Sequence, residues 1–68
     1  MPSGTVKWLD SARGFGFIVP DDGGHDVFVH ITAVQRAGLG KLLPGTRVTF
    51  DLILNHHGKP FADNLKMK

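Results

Sequence analysis

A chain of 68 residues without cysteine is read as one small domain, and neither disulfides nor thiolate metal sites can staple it. Eight Lys and Arg against six Asp and no Glu leave a net charge of +2, too little to grip duplex DNA through its phosphates alone. No apolar run approaches the ~18 residues of a membrane helix, and "MPSGTVKW" lacks a signal-peptide core, so a cytoplasmic protein without a membrane partner is expected.

Turn signals recur at short intervals, and the runs between them are rich in Val, Ile, Phe and Thr, which predicts an all-β barrel or sandwich. The first strand is expected over Gly4 to Asp10 ("GTVKWLD") and the second over Gly14 to Val19. "PDDGG" then turns the chain into a third strand, "DVFVH", at 26–30. In "TAVQRAGLGKLL", Gly38 and Gly40 interrupt any long helix, so one short 3₁₀ turn around Ala33 to Arg36 is expected. The fourth strand is "RVTFDLIL", 47–54, and the fifth runs from about Pro60 to Lys66. Closing these five strands removes exposed edges, so a five-stranded antiparallel barrel is the expected architecture.

Alternation then divides the aromatic residues. In "DVFVH", Val27 and Val29 share one face, and Phe28 and His30 the other. With the valines inside, Gly16 and Ile18 of "RGFGFI" point inward, and Phe15 and Phe17 point outward beside Phe28. Val48, Phe50 and Leu52 are expected inside, and Thr49 and Asp51 outside. The opposite assignment, with the three phenylalanines as core, would bury His30 among them and turn Gly16 outward to no purpose. The preferred reading is a surface platform of rings, on which unpaired bases could stack almost regardless of sequence. Lys7, Arg13, Lys59, and Arg36 or Lys41 could track the phosphates.

Catalysis finds little support. There is no Ser-His-Asp or Cys-His set, and "GLGK" lacks the Gly and Ser/Thr of a phosphate loop, so no catalytic residue, enzyme activity or small-molecule substrate is expected. His56 and His57 read as a solvated turn, and His25 as a hairpin residue or a rim contact to ribose or phosphate. No metal or cofactor is expected.

"GTVKWLDSARGFGFIVPDDGGHDVFVHITAV" strongly resembles the cold-shock domain, with both of its ribonucleoprotein-type motifs present as "RGFGFI" (13–18) and "DVFVH" (26–30). The likeness continues through "LLPGTRVTF" and "GKPFADNL", so it covers essentially the whole chain. It implies an oligonucleotide-binding-type Greek-key barrel that binds single-stranded RNA and DNA. It also implies an RNA chaperone that keeps strands unpaired and influences transcription or translation. By position, Trp8, Phe15, Phe17, Phe28 and His30 would stack on bases, with Lys7, Arg13 and Asp26 supplying polar contacts. Strict alternation puts Trp8 on the face of Val6, so either it belongs to the core or a bulge near Lys7 turns it outward. Leu9, Ile31 and Leu39 stand where the family often carries aromatics, which implies a shorter or weaker site. Phe61 replaces a residue more often polar or small. It is either an added ring at the platform edge or a partly buried strand residue.

Two other readings stay open. The RNA-recognition motif has a similar "[KR]GFGF" signature but needs two amphipathic helices, for which no segment is long enough. A peptide-binding barrel could use the same aromatic patch, and its binding would not weaken with salt as nucleic-acid binding does. A monomer is expected, with exchange of strands or of the loop around Gly38 as the route to a dimer. Residues 1–68 are taken as a single domain, and "NLKMK" carries no stop signal that would argue against fusion to another.

Overall fold

The computed structural model describes residues 2–68. Asp10 builds the first turn of the chain. Its Oδ1 accepts the N–H groups of Ala12 (3.0 Å) and Arg13 (3.2 Å), and its carbonyl accepts that of Gly14 (2.8 Å). Gly14 lies at φ 86°, a conformation that a side chain would strain. This turn joins β1 (Ser3–Asp10) to β2 (Phe15–Pro20) as an antiparallel hairpin, and β3 (Val27–His30) continues the meander. After α1 (Ile31–Ala37) come β4 (Arg47–Leu54) and β5 (Pro60–Met67). Among the described residues these five strands close into a barrel in the order β1-β2-β3-β5-β4, and β4 returns to pair with β1.

The barrel is not wholly antiparallel: β3 and β5 run parallel. Closure requires this. Strand directions that alternate around a ring return to their start only when the number of strands is even, so a closed ring of five contains at least one parallel pair. Parallel neighbours also need a crossover, and the chain supplies it through α1 and β4.

The segment after β3 is a short α-helix and not a 3₁₀ turn. His30 caps it, its Nδ1 accepting the Thr32 N–H at 3.2 Å. Gly38, at φ 70°, ends it by donating its N–H to the Gln35 and Val34 carbonyls. Gly38 therefore terminates a helix that "TAVQRAGLGKLL" suggested it would merely interrupt. Ala33 and Val34 are buried in the core, and α1 packs on β3 and β5.

Core positions follow the alternation closely. Ile18, Val27, Val29, Val48 and Phe50 are buried, and so is Gly16. Leu52 departs from the expectation, at 53% exposed. It does take the inner face, opposite buried Ala62, but it sits at the barrel rim beside Pro2, Pro20 and Pro60, where solvent reaches it. In β5 the period breaks at Asn64 (φ 50°), where the pairing with β4 slips. The extra residue lets Ala62 and Leu65, three apart, both face inward.

One exposed ionic cluster ties the barrel seam. Arg47 of β4 donates to both carboxylate oxygens of Asp21 (2.7 and 2.6 Å) and to Thr5 Oγ1 (3.1 Å). Asp21 also accepts from Ser3 (2.7 Å), and Lys68 lies 3.7 Å away. The cluster thus joins β1, β4, the chain end and the turn after β2.

Candidate nucleic-acid interface

Lys7 is an extra residue in β1. Val6 pairs with Ile18 and Trp8 with Phe17, so two steps along β1 match one along β2. The bulge turns Trp8 out of phase with buried Val6 and onto the face of Phe17. Gly16 makes the close approach possible: a Cβ there would run into the Trp8 carbonyl and lie 2.8 Å from the Leu9 Cα.

Outside the barrel, the cross-strand partners form a row. Trp8 on β1 faces Phe17 on β2, Phe17 faces Phe28 on β3, and Phe28 faces Phe61 on β5. At about 4.8 Å between strands, the row spans about 14 Å. Phe15 and His30 face each other alongside it. Centroid distances are 5.3 Å for Trp8–Phe17, 5.7 Å for Trp8–Phe15, 5.9 Å for Phe17–Phe28 and 5.7 Å for Phe15–Phe28. All fall in the attractive range for aromatic pairs. Phe15 and Phe28 lie nearly parallel at 22°, whereas Phe17 meets its neighbours edge-on. The four rings Trp8, Phe15, Phe17 and Phe28 are half-buried, and His30 is exposed at 6.5 Å from Phe28. They brace one another, mostly edge to face, and remain partly exposed.

His30 is held by its own helix. Nδ1 accepts the Thr32 N–H, so in the neutral ring the proton sits on Nε2, which is left to donate outward. Capping thus orients a ring that a free side chain would let rotate.

Charged groups flank the rings. Lys7 Nζ bonds Asp26 Oδ2 at 2.9 Å, and Arg13 Nε lies 3.6 Å from Asp10 Oδ2. Both pairs are exposed and are worth little to stability, so the cations are available to other anions. Lys59 and Phe61 come from β5 and the turn before it, which Asn55 organises: its Oδ1 accepts the N–H groups of His57 (2.9 Å) and Lys59 (3.0 Å). Phe17, Asp26, Phe28, Asn55, Lys59, Pro60 and Phe61 line one groove of about 580 Å³. Asn55 and Pro60 were not singled out from the sequence, although an Asn opening a "NHHG" turn is an Asx-turn signal. Arg36, in contrast, turns away to Asp63 (3.4 Å). The His56 and His57 rings lie 4.0 Å apart, tilted by 44°, in their exposed turn. Leu9, Ile31 and Leu39 are partly buried and pack against the core.

A closed five-stranded barrel that carries a ring platform on the outer face of adjacent strands defines the class: an oligonucleotide-binding-type domain. The profile of the 'Cold-shock' DNA-binding domain matches residues 2–67, and the chain belongs to this nucleic-acid-binding family. It is 57% identical over 67 residues to Cold shock protein CspA of Rhizobium meliloti (strain 1021), covering 97% of each chain. It is 47% identical over 62 residues to Cold shock-like protein CspE of Escherichia coli (strain K12), covering 91% of this chain and 88% of that one. Cold shock domain-containing protein 4 of Arabidopsis thaliana is 46% identical over 59 residues, which span 87% of this chain and 29% of that protein. No helix among the described residues is long and apolar enough to cross a membrane.

Proposed function

We propose that residues 1–68 act as one monomeric domain that binds unpaired RNA and DNA by stacking bases on Trp8, Phe15, Phe17, Phe28 and His30. Lys7, Arg13 and Lys59 meet the phosphates between stacked bases, and Asp26 accepts from base N–H groups. The observation that carries this reading is the in-register row of outward rings, each braced by its neighbours. Stacking contributes about 1–3 kcal/mol per base and is tolerant of sequence, which suits a chain of modest net charge. Bases in a duplex have both faces occupied, so the platform prefers open strands. By mass action it stabilises them against weak hairpins, the action of an RNA chaperone, with consequences for transcription or translation. No nucleotide hydrolysis is needed. A chain without cysteine suits the reducing cytoplasm.

Trp8 fluorescence offers the test. Oligothymidine and oligouridine should quench it, and a duplex of equal length should compete poorly. Binding should weaken with salt, with a logarithmic slope of about −0.7 per phosphate neutralised, or about −2 for three cations. Equal binding of duplex and single strand, or single-strand binding indifferent to salt, would refute the proposal and favour a peptide ligand.

A further inference from the structure

His30 is braced differently from the other rings of the platform. Trp8, Phe15, Phe17 and Phe28 each have at least two ring neighbours within 6.3 Å. Among the described residues His30 has one, Phe28, at 6.5 Å and tilted by 50°, and its side chain is exposed. A ring that rotates freely must be immobilised when a base stacks on it, which costs affinity.

Thr32 supplies what ring packing does not. Its N–H donates to His30 Nδ1 at 3.2 Å, and its Oγ1 lies 2.9 Å from the same nitrogen. With Nδ1 already accepting the backbone N–H, the hydroxyl is the donor of the shorter contact. Thr32 is exposed, where a hydroxyl ordinarily bonds water, yet this one is committed to the ring. The hydroxyl is also well seated, since a β-branched side chain has few χ1 choices. Thr32 lies in the first turn of α1, where the Ile31 N–H bonds the Gly14 carbonyl at 2.9 Å and Ala33 and Val34 are buried in the core. Support thus runs from the core through α1 and Thr32 to the His30 ring.

Resting on the single-strand reading above, we propose that Thr32 is a positioning residue for base binding, whose hydroxyl fixes the plane and the tautomer of His30. Its effect reaches the strand through His30. Because Nδ1 is occupied, the neutral ring presents only Nε2–H to the strand. This edge of the platform therefore meets an acceptor oxygen, of a base or a phosphate, and not an amino group.

Thr32→Val removes the hydroxyl and keeps the shape and the backbone N–H, whereas Thr32→Ser keeps the hydroxyl. In oligothymidine titrations of the intact chain, Thr32→Val should bind about 2- to 10-fold more weakly than wild type, the worth of one hydrogen bond. Thr32→Ser should bind as wild type does. His30→Asn retains a capping side chain and lacks the ring, so it preserves the start of α1. In that background Thr32→Val should change nothing, because residues that act through one another are not additive. Equal losses in both backgrounds would mean that Thr32 acts on the strand or the fold directly and would overturn the proposal, as would wild-type affinity in Thr32→Val. The free chain gives a second readout, by NMR of the ring nitrogens. Wild type should show Nε2 protonated and Nδ1 accepting, and the Nδ1 resonance should move in Thr32→Val and not in Thr32→Ser. A protonated Nδ1 in the neutral ring, or an Nδ1 resonance unmoved in Thr32→Val, would overturn the proposal. Failure of the broader reading is distinguishable: wild type and every variant would then bind no single strand, and the proposal would fall with it.

Discussion

Phe17 and Phe50 are chemically identical, and the structure assigns them opposite roles. Phe50 is 1% exposed, inside the barrel. Truncating such a residue to Ala costs about 3–5 kcal/mol, from lost transfer energy and the cavity left behind. A domain of this size holds only about 3–5 kcal/mol in total, so Phe50→Ala should be largely unfolded at 25 °C without a stabilising osmolyte. Phe17 is half-buried, and removing it forfeits about 1 kcal/mol of burial. Its edge contacts to Trp8 at 5.3 Å and Phe28 at 5.9 Å raise the total to about 2 kcal/mol. Phe17→Ala should therefore fold, with a lowered urea midpoint, and bind oligothymidine about 5- to 150-fold more weakly. Phe17→Leu separates the two effects by recovering most of the stability and little of the binding. Urea unfolding followed by circular dichroism, paired with oligothymidine titration, reads both quantities. If Phe17→Ala unfolds the domain while Phe50→Ala leaves the midpoint unchanged, the assignment of inner and outer faces is reversed and the functional argument fails with it.

The Asp21 carboxyl is held at about 2 against an ordinary 3.8, first by the hydrogen bonds from Arg47, then by that from Ser3, with the charges of Arg47 and Lys68 adding to it. Since the folded value is the lower one, this contribution to stability is fully present above pH 3.8 and disappears as pH falls through about 2. Asp21→Asn should flatten the loss of urea resistance across that window, more visibly at low salt; an acid slope identical to wild type would remove the cluster from the account of stability. Gly16→Ala should lower the melting temperature and weaken oligothymidine binding together, because its Cβ meets the backbone of Trp8 and Leu9, which cannot rotate away. Overpacking of this kind costs about 1–3 kcal/mol, and a wild-type melting curve would contradict the close approach of β1 and β2.

Much of this protein was legible in short windows. A period of two in "RGFGFI" and "DVFVH" separates Gly16, Ile18, Val27 and Val29 from Phe15, Phe17 and Phe28, and the barrel buries the first set. The conflict at Trp8 was visible too, as either a core residue or a bulge, and the slip at Lys7 decides it. At Gly38 the same residue type could break or finish a helix. The His30 cap three residues upstream of Ala33 favoured the second outcome, and a scan for propensity alone passes over it.

What depends on ring closure could not be read from any window. Local patterning determines where strands form and which face each side chain takes, because both depend on neighbours a few residues away. Whether a strand pair is parallel, and which residues meet across it, depends on the number of strands and on the path the chain takes to close. That is why a parallel β3–β5 pair appeared where an antiparallel barrel was expected, and why Phe61 stands opposite Phe28. The exposure of Leu52 has the same origin: alternation set its direction, and only the finished barrel shows that this direction ends at a rim open to water.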